Sequence, residues 1–431
     1  MKKVEVFDGG TLSSQPFTEK TGASRCNFLG LDHKGDSIKI PLDEDLLSKH
    51  ILFIGGIGTG KTNAISQLVS QLRASFTQDD VMIIFDTKGD FYKSFYRVGD
   101  IVISNDEKAT GENGSDYWNI FNEIEQNEQM EENIVEIAKT LFLEKTSNTS
   151  QPFFPNAARD LFSGILTHFF RNKSTIQTDN KTLRDFMDKT PPGGIRDILM
   201  QHGDLRSMIN YISDDRSPQT QGVLSELMQL TREIFLGNFK KSGDLSIRNL
   251  IRKKGGKIIF IEYDLGIGNL LTPIYRLMFD MAIKEALSRN KSEGNVWFVA
   301  DEFRLIPNLQ HVDDAVNFGR SLGVKFVIGI QNVEQVYNAY GTNLAKSILS
   351  GFLTTVAFRV NDFESRKFIK ELFGSNRKKE IYMSSVSTRG IVEQIRDAFV
   401  IEDWDISQLG VGEAIIGLQN KDPFLFQFKM V

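Results

Sequence analysis

The sequence predicts an α/β fold, a mainly parallel sheet with an all-helical domain inserted into it, and three features predict this. Short apolar runs recur at 50–54, 81-VMIIFD-86, 257-KIIFIEY-263, 296-VWFVAD-301, 325-KFVIGI-330 and 353-LTTVAFR-359. Each is continuous rather than alternating, as expected of strands buried on both faces. Helical stretches separate most of them, and that alternation is the pattern of a parallel sheet. Between Phe121 and Arg252 the texture changes to helical periodicity without a strand-like run.

The elements follow in order. The first 45 or so residues form a partly β lead-in broken by Gly and Ser, as in DGGTLSSQ and GLDHKGD. A compact strand over 50–54 ends on glycines. Behind it Ile65, Leu68, Val69 and Leu72 fall on one face of a helix. In the central stretch Ile134, Ile137, Ala138 and Leu141 repeat helically, as do Ala158, Leu161, Phe162, Ile165 and Phe169. The tail, 413-EAIIGL-418 and 424-FLFQFKM-430, reads as a hairpin completing the sheet. The expected organisation is therefore residues 1–120 and 253–431 as the two parts of an α/β domain, and 121–252 as the inserted all-α domain.

Composition narrows the classes. The chain has 431 residues, 51 Lys and Arg against 56 Asp and Glu, for a formal charge of −5. With 40% hydrophobic and 25% charged residues it is an ordinary globular composition, which excludes disordered and low-complexity classes. Cys26 is the lone cysteine, so neither an internal disulfide nor a Cys-based zinc site is available. None of the five histidines has metal-site spacing to another. No apolar run approaches the roughly 18 residues of a membrane helix. MKKVEVFDGG has no apolar stretch behind its basic start, so no signal peptide is expected. The location expected is cytoplasmic. Charge is uneven, with five Glu and no basic residue over 121–133 and seven Lys/Arg over 240–257. An acidic outer surface and basic clusters on an inner channel would reconcile a negative net charge with an anionic partner.

The strongest chemical signal is 55-GGIGTGKT-62, which fits G-x-x-x-x-G-K-[ST] between a strand and a helix. Gly55, Gly56, Ile57, Gly58, Thr59 and Gly60 supply a backbone whose N–H groups can wrap a phosphate chain, continued by Asn63. Lys61 adds a point charge for the β- and γ-phosphates, and Thr62 offers a hydroxyl to Mg²⁺. The cofactors implied are ATP and Mg²⁺. An acidic partner is needed at the end of another buried strand, and 296-VWFVADE-302 supplies one. Asp301 would hold Mg²⁺ through water, and Glu302 would orient and deprotonate the attacking water. Gln331 ends the 325–330 strand, where a Gln either senses the γ-phosphate or caps the strand. Arg320, in 318-FGRSLGV-324, precedes that strand and could act on a neighbouring subunit's γ-phosphate.

The order of these motifs resembles the type IV secretion and conjugation coupling proteins, within the HerA/FtsK-like ring ATPases. The resemblance rests on the P-loop, the helical insertion and then DEF…IPNL…GRSLGVKFVIGIQNVEQVYNAYG. Further matching stretches are 84-IFDTKGDFYKSFY-96, 117-YWNIFNEI-124 and 153-FFPNAARDLFSGIL-166. It implies a RecA-like P-loop NTPase core carrying an all-α domain, assembled as a homo-hexamer with ATP between subunits. It also implies the trans-acting arginine at Arg320 and the γ-phosphate sensor at Gln331. The implied activity is ATP-driven movement of DNA through a central channel, largely independent of base sequence, toward a secretion channel. A relaxase or membrane-anchor partner is implied as well, because coupling proteins usually begin with a transmembrane anchor and this sequence shows none. Such a partner would hold the protein at the inner face of the cell membrane. Candidate DNA contacts are Lys88 and part of the 240–257 cluster. Other readings are a soluble HerA-like DNA-processing or defence ATPase working with a nuclease, and a nucleotide-gated receptor for protein substrates.

Overall fold

The computed structural model describes residues 3–16, 24–32, 35–105, 117–288, 294–383 and 391–430. In chain order the first seven strands are β1 (Lys3–Asp8), β2 (Cys26–Leu31), β3 (Ser37–Leu42), β4 (Ile51–Ile54), β5 (Val81–Asp86), β6 (Ile101–Ile103) and β7 (Lys257–Glu262). The remainder are β8 (Val296–Ala300), β9 (Val324–Ile330), β10 (Thr354–Phe358), β11 (Ser375–Met383), β12 (Ile391–Phe399), β13 (Glu413–Gly417) and β14 (Phe424–Phe428). The chain divides into two compact units, Met1–Phe85 with Arg289–Asn308 and Val312–Val431, and Asp86–Ser288 with Leu309–His311.

In the first unit the large sheet runs β3-β2-β14-β13-β10-β4-β9-β8-β5. Its middle, from β10 through β4, β9 and β8 to β5, is parallel. Every residue of β4, β5, β8, β9 and β10 is buried, which is why those segments read as unbroken apolar runs. The β13–β14 hairpin and the β2–β3 pair extend the sheet in antiparallel register. Helix Lys61–Ala74 follows β4 and buries Ala64, Ile65, Leu68, Val69 and Leu72.

The same unit carries a second sheet, β1-β11-β12, that the sequence pattern does not reveal. Val4–Asp8 are exposed and Ile391–Asp397 mostly so, so no buried apolar face marks these strands. The sheet's backbone ladders are supplemented between β11 and β12 by cross-strand ion pairs, Lys379 with Glu393 and Arg396 with Glu380. Of the six Lys and Arg between Arg366 and Lys379, Arg366, Lys367 and Lys370 lie on helix Phe363–Phe373, and Arg377, Lys378 and Lys379 on β11.

The second unit pairs β6 with β7 in parallel and is otherwise helical among its described residues. Its longer helices are Met130–Ser147, Phe153–Arg171, Pro218–Ile234 and Gly268–Leu287. Phe142 packs on Phe162 and Phe121 stacks on Phe169. The acidic and basic runs noted in the sequence meet inside this unit. Glu123, 1% exposed, accepts from Trp118 Nε1 and from the backbone N–H of Ile247 and Arg248. Arg248, also buried, donates to Glu285, and Arg252 pairs with both Glu285 and Glu125. Lys241 donates to the Tyr117 hydroxyl. These partners tie Glu123 and Glu125 of the acidic run to Arg248 and Arg252 of the basic run, while Glu128, Glu131, Glu132, Lys240 and Lys253 stay exposed. Burying Glu123 or Arg248 alone would leave uncompensated charge, and burying them together does not. Among the described residues no helix is long and apolar enough to cross a membrane.

Candidate active site

The P-loop starts where β4 ends, at the carboxyl edge of the parallel strands, the edge at which open α/β sheets bind ligands. The Gly55 N–H donates to the carbonyl of Ile330 and the Gly56 N–H to that of Arg359, tying the loop to the ends of β9 and β10. Gly60 has φ +112°, and a Cβ there would approach Gly412 to 3.1 Å, so glycine is required on both counts. The Gly412 N–H in turn donates to the Thr59 carbonyl, bracing the loop from the β13 side. No side chain caps helix Lys61–Ala74 at its N-terminus, leaving its first-turn N–H groups and positive dipole end facing the loop.

Side chains converge on this edge. The Thr59 hydroxyl donates to the Gly56 carbonyl at 2.8 Å. The Lys61 ammonium, largely buried, donates to the carbonyls of Gly55 and Gly56. Thr62 Oγ1 donates to Asp301 Oδ2 at 2.6 Å. The other carboxylate oxygen, Asp301 Oδ1, is buried without a hydrogen-bond partner. A hydroxyl beside a carboxylate with one orphaned buried oxygen is a hard, oxygen-only donor set, which suits Mg²⁺ and its waters. Ile57 is 83% exposed at the loop tip, and the Asn63 amide donates to the Lys429 carbonyl.

Glu302 follows Asp301 and is 14% exposed. One of its oxygens accepts from the Gln331 amide and the other from Arg304 Nε at 3.0 Å. The structure thus brings Lys61, Thr62, Asp301, Glu302 and Gln331 to one edge. Arg320 lies elsewhere. It sits in the 3-10 turn Gly319–Leu322 before β9, whose seven residues separate it from Gln331 by about 20 Å of strand. Its guanidinium, 52% exposed, pairs with Asp45. It therefore does not serve the P-loop of its own chain. Sequence reasoning passed over Arg304, Asp45 and Gly412, for which only proximity in the fold gives a signal. In the other unit Lys88 is exposed after β5, its N–H donating to the buried Asp86 carboxylate.

Residues 36–416 match the family model of the type IV secretion-system coupling protein DNA-binding domain. The chain belongs to this family. It is 22% identical over 407 residues to the coupling protein TraD of Escherichia coli (strain K12), covering 91% of this chain and 52% of TraD. The coupling protein VirD4 of Bartonella quintana (strain Toulouse) is 22% identical over 315 residues, covering 68% and 49%. The chain spans about half the length of these curated relatives. Among solved structures it is similar to the conjugative coupling protein TrwB in complex with sulphate, with TM-score 0.74, 18% identity and coverage of 98% and 94%. TrwB in complex with ADP and Mg²⁺ gives TM-score 0.70 at 20% identity, covering 91% and 87%. The family and these likenesses establish the fold as α/β, a RecA-like P-loop core with a mainly parallel sheet and an all-α part.

Proposed function

We propose that this chain is the Mg²⁺-dependent ATP-hydrolysing motor part of a coupling protein, which moves DNA toward a type IV secretion channel. The observation that carries the reading is the convergence of Thr62 with Asp301 and of Glu302 with Gln331 beside the P-loop. Family membership supports DNA as the cargo, and the nucleotide complexes of TrwB support ATP as the fuel. Gly55 through Asn63 bind the phosphate chain through backbone N–H groups, and Lys61 leaves its loop carbonyls for the β- and γ-phosphates. Thr62 and Asp301 would hold Mg²⁺, which would supply neutralisation of the charge on those oxygens. Glu302 orients the attacking water and takes its proton, while Gln331 reads the γ-phosphate.

Arg320 completes the site of a neighbouring copy, since it lies at the opposite end of β9 from its own P-loop. A trans role for Arg320 fits a ring, and the reading is a homo-hexamer with DNA in its channel. Lys88, with Lys240 and Lys253 from the basic run, are the exposed cations left to meet phosphates. Residues 121–252 form the inserted all-α domain in this reading. The protein works at the cytoplasmic face of the membrane, joined to the secretion channel, a relaxase or a membrane-anchored partner. Glu302→Gln tests the proposal: the variant binds ATP with wild-type affinity while DNA-stimulated phosphate release falls by about 100-fold or more. Undiminished release would remove Glu302 from the mechanism, and stimulation by secreted proteins but not by DNA would change the cargo.

A further inference from the structure

Glu302 is gripped on both oxygens by donors of different kinds. Gln331 reaches it from the end of β9, and Arg304 reaches it from two residues along its own chain. The turn that carries Arg304, Phe303–Leu305, is anchored on either side. Phe303 is buried and lies parallel to the Tyr340 ring at 6.1 Å, and Ile306 is fully buried. Its backbone is closed by the N–H of Leu305 donating to the carbonyl of Glu302, and that of Ile306 to the carbonyl of Phe303. The stem of Arg304 therefore starts from a fixed point, although its side chain is 45% exposed.

From this geometry we infer that Arg304 is a positioning residue for the general base, an inference that rests on the ATPase reading above. A glutamate has three side-chain torsions, and a base must hold its carboxylate within a fraction of an ångström of the attacking water. The two donors do not share one fate during turnover. Gln331 is also the residue placed to read the γ-phosphate, and its amide is drawn toward phosphate when ATP is bound. Among the described residues Arg304 has no other polar partner in the site, and it keeps Glu302 oriented as Gln331 turns away. Its guanidinium does this through a charge-assisted bond at a carboxylate that is mostly shielded from water, where such a bond is less screened than on the surface.

The test is steady-state kinetics and nucleotide binding on the full chain. Arg304→Ala lowers kcat by about 10- to 100-fold and leaves KM and the Kd for ATP within about twofold. Arg304→Lys, which keeps the charge but not the planar fork, falls between the two. In a Glu302→Gln background Arg304→Ala changes the residual rate by less than about twofold, because the group it positions is gone. Arg304→Gln, close in length and uncharged, follows Arg304→Ala and guards against a folding artefact, checked by an unchanged Tm. An unaltered kcat in Arg304→Ala overturns the inference, as does a Kd for ATP that rises in step with the loss of rate. So does an equal loss in the Glu302→Gln background. A wild-type chain without ATPase activity would instead overturn the reading on which the inference stands.

Discussion

The Gln331 amide donates to the Glu302 carboxylate and joins two residues 29 positions apart in the chain. They meet because β8 and β9 are parallel neighbours in register, Ala300 opposite Ile328, so the residues just beyond each strand emerge at one edge. β4 lies on the other side of β9, which puts the P-loop next to both. Topology thus turns three separate strand ends into one polar cluster around a phosphate-binding loop.

Removal of the metal or its ligands separates binding from turnover. Lys61→Ala weakens ATP binding by about 10-fold or more, because the loop loses its one point charge for the terminal phosphates. Thr62→Ala binds nucleotide in the presence of a chelator as the wild type does, and needs more Mg²⁺ for half-maximal hydrolysis. Titration with a fluorescent ATP analogue and a Mg²⁺ series of phosphate release read both effects.

Gly329 is the seat of a sharper steric test. A Cβ at this position would lie 2.4 Å from the Asp301 carbonyl oxygen and 3.2 Å from its Oδ1. Gly329→Ala therefore pushes β8 and β9 apart at the acid that faces Thr62. The expected results are a loss of roughly 1–3 kcal/mol in stability from overpacking and a higher Mg²⁺ requirement for hydrolysis. Chemical denaturation and the same Mg²⁺ series measure them.

For Arg320 the decisive measurement is subunit mixing. Rings doped with Arg320→Ala subunits lose activity faster than the fraction of mutant rises, because each mutant disables a neighbour's site. A straight dilution line would confine the effect of Arg320 to its own subunit. Asp45→Ala, which removes the carboxylate paired with Arg320, retains more than half of the activity, since that pair is exposed and worth about 1 kcal/mol at most.

Stability depends on pH through Asp280. Burial pushes its carboxyl up to about 7, while one of its oxygens accepts from the N–H groups of Gln310 and His311. The hydrogen bond to Glu136 raises His311 as well. Folded protein then holds protons that the unfolded chain releases, between the ordinary carboxylate range and about 7 for Asp280 and above the ordinary imidazole range for His311. Asp280 makes stability fall as pH rises from about 4 to about 7, and His311 adds to the fall above the ordinary imidazole range. Tm drops by roughly several degrees over that interval, and Asp280→Asn flattens the slope. A wild-type slope surviving in the variant would exclude Asp280 as its origin.

Much of the P-loop unit was legible from the chain alone, for identifiable reasons. Gly55 to Thr62 act through backbone and adjacent side chains, so their chemistry is local and spacing reveals it. The buried strands that end in Asp301 and Gln331 announce themselves because burial on both faces makes nearly every residue apolar, Lys325 excepted. The sheet β1-β11-β12 escaped notice for the converse reason. Neither face of β1 or β12 is packed into a core, so their side chains carry no apolar-in, polar-out signal.

By itself the sequence determined the phosphate loop, the acidic pair and the strands that present them, because each is set by neighbours in the chain. Only the tertiary structure decided what those groups touch. It joined Glu302 to Gln331 and Arg304, and left one oxygen of Asp301 unpartnered beside Thr62. It also took Arg320 out of its own site and paired Glu125 of the acidic run with Arg248 and Arg252 of the basic run. Charge and hydrogen bonding act through space at a few ångströms, and sequence distance says nothing of that separation until the sheet has brought the strand ends together.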